Sequence, residues 1–220
     1  MYELEVSEKL SKIPVFSLGD VNQIINNRNY AKEFIKRMYK KNKIFKIKKN
    51  VYSFYDDEFL ISTYLNKPSY ISSVSALSHY GLITQLPNKI FCATLKRSEK
   101  INNINFFHTN YFFGFKKEEY AGFNIFIAEP EKAIIDSIGL FPVSVFEESF
   151  EEINVNKVLE YLKKIKKSNI VKRVGYLLEK NGFDVYDKLK ENINYKYIFL
   201  DPIAKKNGIK DKKWRIIKNI

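Results

Sequence analysis

Between Arg28 and Asn50 the chain carries ten basic side chains, Arg28, Lys32, Lys36, Arg37, Lys40, Lys41, Lys43, Lys46, Lys48 and Lys49, against one acid, Glu33. Solvated helix faces mix signs in i, i+4 pairs, whereas here like charges crowd together and repel. A duplex relieves that repulsion, because phosphates neutralised by Lys and Arg release counterions, giving an affinity that falls with salt. The pattern therefore predicts a phosphate-binding surface. A second group, Glu129, Glu131, Lys132 and Asp136, has the residue types of metal-dependent phosphodiester cleavage, which needs carboxylates on a metal and a lysine beside the scissile phosphate. Its spacing is poor for that chemistry, since Glu131 and Lys132 point about 100° apart on a helix. Pro130 in a first helical turn, with acids at the positive end of the dipole, accounts for the same residues. His79, His108 and Cys92 are scattered and lack zinc-ligand spacing. Cys92 lies in an apolar run typical of a small core residue. No Gly-x-Ser-x-Gly, Walker-type loop or Gly-Ser plus paired-Asp pattern is present. The residues thus assign no catalytic group, no metal site and no cofactor.

The elements that would position the basic residues can be read from periodicity. Ala31, Phe34, Ile35 and Met38 form one apolar stripe of a helix over Asn29–Asn42, leaving Asn29, Glu33, Lys36 and Lys40 opposite, with Lys32 and Arg37 on the flanks. Upstream, Ser17 and Asp20 make a capping-box variant before Leu18, Val21, Ile24 and Ile25. Tyr2–Ile13 reads as a first helix. Downstream, Ile44, Phe45, Ile47, Val51, Tyr52 and Phe54 are strand formers around a reversal at Lys48, Lys49 and Asn50, where Asn tolerates the left-handed backbone of a tight hairpin. Three helices and a hairpin in this order predict a winged helix-turn-helix over residues 1–56, its third helix directed at the major groove and its wing at the backbone.

From residue 57 the composition changes. A short helix in SVSALSHYGL closes at Gly81. NKIFCATL, NINFFHTN, YFFGF and GFNIFIAEP read as four strands, the last feeding a helix in EPEKAIIDSIGL. Residues 57–150 are therefore expected to form an α+β domain with a small, mainly antiparallel sheet. Residues 151–220 are expected to supply a helical hairpin, VNKVLEYLKKIKK and NIVKRVGYLLEKNG, and the short strands YIFL and WRII, packed with the middle domain. Lys163, Lys164, Lys166, Lys167, Lys172 and Arg173 form a second basic cluster of unassigned role. The fold class is α+β.

At 220 residues and 45% hydrophobic the chain can bury a substantial core. A single cysteine rules out an internal disulfide. Neither a long apolar run nor a signal-type N-terminus is evident, which predicts a cytoplasmic protein without membrane association. A net charge of +13 favours an anionic partner.

The order F-S-L-G-D-V, KNVY after the basic wing, YISSVSALSHYGL, IFCATL, FFH, FG, EPEKAIIDSI, KRVGYLLE, YIFLDP and WRIIKNI resembles the AbiEi family of antitoxins and transcriptional regulators from abortive-infection toxin-antitoxin systems, across nearly the whole chain. The resemblance implies a winged helix that binds repeats in its own promoter and represses it. It also implies a middle, antitoxin-like domain and C-terminal region that counter a nucleotidyltransferase toxin without a stable complex. The family usually has Gly in the wing turn where this chain has Asn50. On this reading Asn29, Tyr30, Glu33 and Lys36 are the base-reading candidates, with Glu33 able to accept from cytosine. Arg28, Lys32, Arg37, Lys40, Lys46, Lys48 and Lys49 are the phosphate-binding candidates. Two other readings stay open: a nucleic-acid-acting enzyme targeted by the winged helix, and an interaction module whose basic surface meets an acidic protein.

Overall fold

The computed structural model describes residues 2–220. It begins with three helices, α1 (Tyr2–Ser11), α2 (Leu18–Ile25) and α3 (Arg28–Lys40). Strand β1 (Phe16–Ser17) precedes α2, and the hairpin β2 (Phe45–Lys48) and β3 (Val51–Ser53) follows α3. Ser17 caps α2 with the reciprocal pair expected of it: Asp20 N donates to Ser17 Oγ at 3.2 Å, and Ser17 N donates to Asp20 Oδ2 at 2.6 Å. The two-residue connection to α3 turns on Asn26 (φ +54°), and Asn27 caps α3. Both α1 and α3 end two residues earlier than periodicity suggests, because the turns after them take over the closing hydrogen bonds. Lys43 N, for example, donates back to Met38 O. The hairpin turns through Asn50 at φ +61°, the left-handed geometry anticipated there. Its register shifts between Lys46 and Lys48, and β1 completes a three-stranded sheet in the order β1-β3-β2.

Two hydrophobic cores result. Val6, Leu10, Phe16, Val21, Ala31, Phe34 and Met38 belong to the smaller one, under the three helices. The larger runs from Ile47 to Ile216, so the middle segment and the C-terminal third share one interior. Ile47, Val51 and Tyr55 attach the hairpin to this larger core, and the Tyr55 hydroxyl donates to Ser11 O at 2.6 Å.

The architecture is α+β. Helix α4 (Glu58–Leu65) leads into strands β4 (Ser69–Ile71), β5 (Ile90–Thr94), β6 (Glu99–Ile101), β7 (Ile104–His108), β8 (Phe115–Tyr120) and β9 (Phe123–Ala128), with α5 (Ser73–His79) between β4 and β5. They form one six-stranded sheet, ordered β6-β7-β5-β4-β9-β8. Three of its ladders are antiparallel, while β4–β9 and β5–β7 are parallel. The sheet is thus mixed and larger than the four apolar runs suggested, and the third of those runs, YFFGF, is loop up to Phe115, where β8 begins. Strands β4 and β6 escape a periodicity reading because they are three residues long, one wholly buried and the other mostly exposed. Helix α6 (Pro130–Ser137) packs beside α5, and α7 (Val155–Ile165), α8 (Ser168–Lys180) and the short α9 (Tyr186–Leu189) follow. The chain ends in its own three-stranded sheet of β10 (Ile198–Phe199), β11 (Ile209–Asp211) and β12 (Ile216–Lys218), ordered β10-β12-β11. Among the described residues, no helix is long and apolar enough to cross a membrane.

Candidate nucleic-acid interface

Helix α3 is seated by Ala31, Phe34, Ile35 and Met38, all buried, facing Val21 and Ile25 of α2. Burying such side chains stabilises by about 1.5–3 kcal/mol each, which fixes the opposite face toward water. Asn27 Oδ1 accepts from the amides of Asn29 and Tyr30 at 3.1 and 3.0 Å, holding the exposed N-terminal turn in place. Of the base-reading candidates, Asn29, Tyr30, Glu33 and Lys36 are all exposed. Arg28, Lys32 and Lys40 on α3 and Lys46 and Lys49 on the hairpin are exposed as well, and Lys48 is half-buried.

Arg37 is placed differently. Its guanidinium lies over the Tyr30 ring at 5.4 Å, donates to the Tyr30 hydroxyl at 3.4 Å and stands 3.6 Å from Glu3. The hydrogen bond to Tyr30 holds the guanidinium pKa above its ordinary value. Glu3 also takes Lys41 at 3.2 Å, so α1 neutralises one end of the basic surface. Arg37 and Tyr30 therefore act as a pair, a contact between positions seven apart, which lie two turns from each other on the same face of the helix.

The structure also brings together what sequence spacing left apart. A concavity of ≈ 320 Å³ lies between α3 and the hairpin, lined by Lys32 and Lys36 from the helix, Lys46 and Asn50 from the hairpin, and the side chains of Leu18, Ile35, Tyr39 and Tyr52. Three ammonium groups around an aromatic-walled hollow suit a phosphate-bearing chain crossing from helix to hairpin. Tyr39 and Tyr52 were not among the sequence candidates. Their only advance signal was membership of the α3 flank and of the strand facing it.

The other basic cluster does not form one face. Lys163, Lys164, Lys166 and Lys167 are exposed, but Lys172 is 0% exposed. Its ammonium donates to Asn194 Oδ1 at 2.7 Å and Lys196 O at 2.5 Å. Burial, then the charge of Arg215, pushes its pKa below the usual lysine range. Arg173 Nε donates to Phe199 O at 3.0 Å.

The acidic and lysine cluster of α6 is internally committed. Glu129 accepts from Lys157 at 2.6 Å and from the Tyr161 hydroxyl, and Glu131 accepts from Asn154 N at 3.0 Å. Lys132, 0% exposed, pairs with Asp136 and donates to the Tyr70 hydroxyl at 2.9 Å. Ser72 completes the set by donating to Asp136 Oδ2 at 2.7 Å. This is a cross-brace between α6, α7 and β4, and among the described residues no three His, Cys, Asp or Glu side chains converge as metal ligands. His79 and His108 stay apart: the first meets Glu118 at 2.6 Å, the second Lys96 O and Asn110. Cys92 is buried and its thiol pushed up to about 12.

The C-terminal motifs have mechanical roles. Gly175 admits Trp214, because a Cβ there would stand 2.2 Å from the indole ring. Trp214 is 1% exposed and donates from Nε1 to Glu179 at 2.7 Å. Asn219 ties to Asp201 from both directions, and Asp201 accepts from Val143 N at 2.9 Å.

No family model matches the sequence, and no curated protein matches it. Among solved structures, the chain is similar to the crystal structure of the Rv2827c protein from Mycobacterium tuberculosis, at 10% identity with a TM-score of 0.67, covering 98% of this chain and 90% of that one. At that identity the likeness concerns the fold alone.

Proposed function

We propose that this chain is a sequence-specific DNA-binding transcriptional regulator of the AbiEi antitoxin type, with a winged helix-turn-helix in its first 56 residues. In this reading α3 enters the major groove with Asn29, Tyr30, Glu33 and Lys36 nearest the base edges, and the β2–β3 hairpin is the wing. The observation that carries the proposal is the concavity between α3 and the hairpin, where Lys32, Lys36 and Lys46 meet from two elements. A cationic surface spanning helix and hairpin matches the path of a duplex backbone better than it matches scattered solubility charges. Arg28, Lys40, Lys48 and Lys49 extend it, and Arg37 supports Tyr30 from behind. The autorepression of its own promoter and the countering of a nucleotidyltransferase toxin rest on the family resemblance.

A mobility-shift titration against the DNA upstream of its own gene, with an unrelated duplex as competitor at two salt concentrations, tests the reading. Preferential binding that survives the higher salt is expected. Equal, salt-labile binding to both duplexes would remove sequence-specific regulation. Co-expression with a neighbouring nucleotidyltransferase gene then tests the antitoxin role, with restored growth as the expected outcome.

A further inference from the structure

Two stretches of this chain near its ends are strongly basic. Residues 28–50 carry ten bases and one acid, and residues 194–220 carry eight bases and two acids, Asp201 and Asp211. Both of those acids are occupied internally, Asp201 by backbone amides including Val143 and Asp211 by the Trp214 amide. Among the described residues, only Lys213 of the eight bases is held by a carboxylate, Glu179 at 2.5 Å. The second stretch is therefore as open as the first, and nothing in the proposed duplex contact uses it.

Its geometry differs from the first. Strand alternation puts Ile198 and Ile216, paired across β10 and β12, on the side facing the main core. The same alternation puts Phe199 and Ile217 on the other side, Lys210 joins them opposite Ile217, and Tyr197 and Arg215 immediately precede the two paired strands. Contacts bring them together: the Lys210 ammonium and the Arg215 guanidinium stand 5.3 and 5.6 Å from the Tyr197 ring centroid, and Arg215 donates to the Tyr197 hydroxyl at 3.3 Å. Tyr195, 80% exposed, and the exposed Lys196 precede Tyr197 in the chain.

We infer that the outward face of the β10-β12-β11 sheet binds single-stranded nucleic acid, with Tyr197 and Phe199 offering rings to unstacked bases and Lys210 and Arg215 meeting phosphates. Aromatic rings interleaved with cations on a small sheet are the requirement for such binding, since each base has a π-face and the cations track the backbone. A duplex fits this face poorly. Strands of two and three residues offer nothing long enough to enter a major groove, and stacked bases do not present their faces to Tyr197.

Fluorescence anisotropy of the full chain with labelled oligo(dU) and oligo(U) tests this, with unlabelled duplex and polyglutamate as competitors. Tyr197→Leu is expected to weaken binding of at least one oligonucleotide by about fivefold or more, the effect of losing one stacked base. Lys210→Gln combined with Arg215→Asn is expected to weaken it by about tenfold. Asn is chosen because Arg215 sits at φ +54°, a backbone that Asn adopts readily. Duplex affinity should stay within about twofold in both variants, and circular dichroism should be unchanged. The preferred oligonucleotide identifies the sugar. The inference is overturned if neither variant changes single-strand binding, if Lys48→Ala with Lys49→Ala removes it instead, or if duplex or polyglutamate displaces the oligonucleotide as readily as a second single strand. These outcomes are separate from failure of the duplex reading, which is decided by the upstream DNA.

Discussion

Helices α3 and α8 are both thirteen residues long, both amphipathic, and each contains an adjacent Lys-Arg pair, Lys36–Arg37 and Lys172–Arg173. In α3 the lysine faces water and the arginine lies against Tyr30. In α8 the lysine is sealed from solvent and the arginine reaches a backbone carbonyl. The difference comes from what crosses each helix. Residues 194–199 run over α8 and offer Asn194 Oδ1, Lys196 O and Phe199 O as acceptors, so the cations are hydrogen-bonded where they are buried. Among the described residues, no comparable segment crosses the outer face of α3. A lysine is therefore a structural residue where acceptors converge on it and a solvent-facing one where they do not.

The sharpest way to break the comparison is Lys172→Met. It should cost about 3 kcal/mol of unfolding free energy, because two buried acceptors lose a charged donor; a loss under about 0.5 kcal/mol in urea denaturation would mean water replaces the ammonium. Next in size is Gly175→Ala on the same helix, where the added methyl meets the Trp214 ring. Overpacking of this kind should cost about 2 kcal/mol, accompanied by a shift in tryptophan fluorescence. Arg173→Ala removes one hydrogen bond to Phe199 O and should cost about 1 kcal/mol. On α3 the expectations reverse. Lys36→Ala should leave the thermal unfolding midpoint in place while weakening duplex binding by roughly fivefold or more, and a lowered midpoint would make Lys36 structural like Lys172. The smallest effect belongs to the hairpin: Lys48→Ala with Lys49→Ala should flatten the salt slope of duplex binding by about 2, one for each lost phosphate contact. An unchanged slope would take the hairpin out of the interface.

The N-terminal elements were legible because their signals are local. Ser17 and Asp20 find each other three residues apart, Asn27 reaches amides two and three residues on, and Asn50 needs only its own backbone torsions. The apolar stripe of α3 identified its buried side in the same way. Reading a surface from such a stripe has a limit at Arg37, whose partners Tyr30 and Glu3 lie one two turns away on the same helix face and one on another helix. The middle sheet was less legible. Its parallel ladders join β4 to β9 and β5 to β7, and no short-range pattern encodes which distant strand a three-residue segment will meet.

By itself, the sequence determined where charge accumulates, where helices begin, and which positions on them are apolar, since these depend on side-chain type and on contacts within a few residues. The tertiary structure alone decided which charges remain available. Lys132 and Lys172 read like any other lysine, yet a distant tyrosine and a crossing chain enclose them. Tyr197, Lys210 and Arg215 come from three separate stretches and become one face only when β10, β12 and β11 pair. The physical reason is the same in each case. Burial of a cation and the assembly of a surface depend on acceptors and neighbours brought by remote segments, and only the folded chain places them.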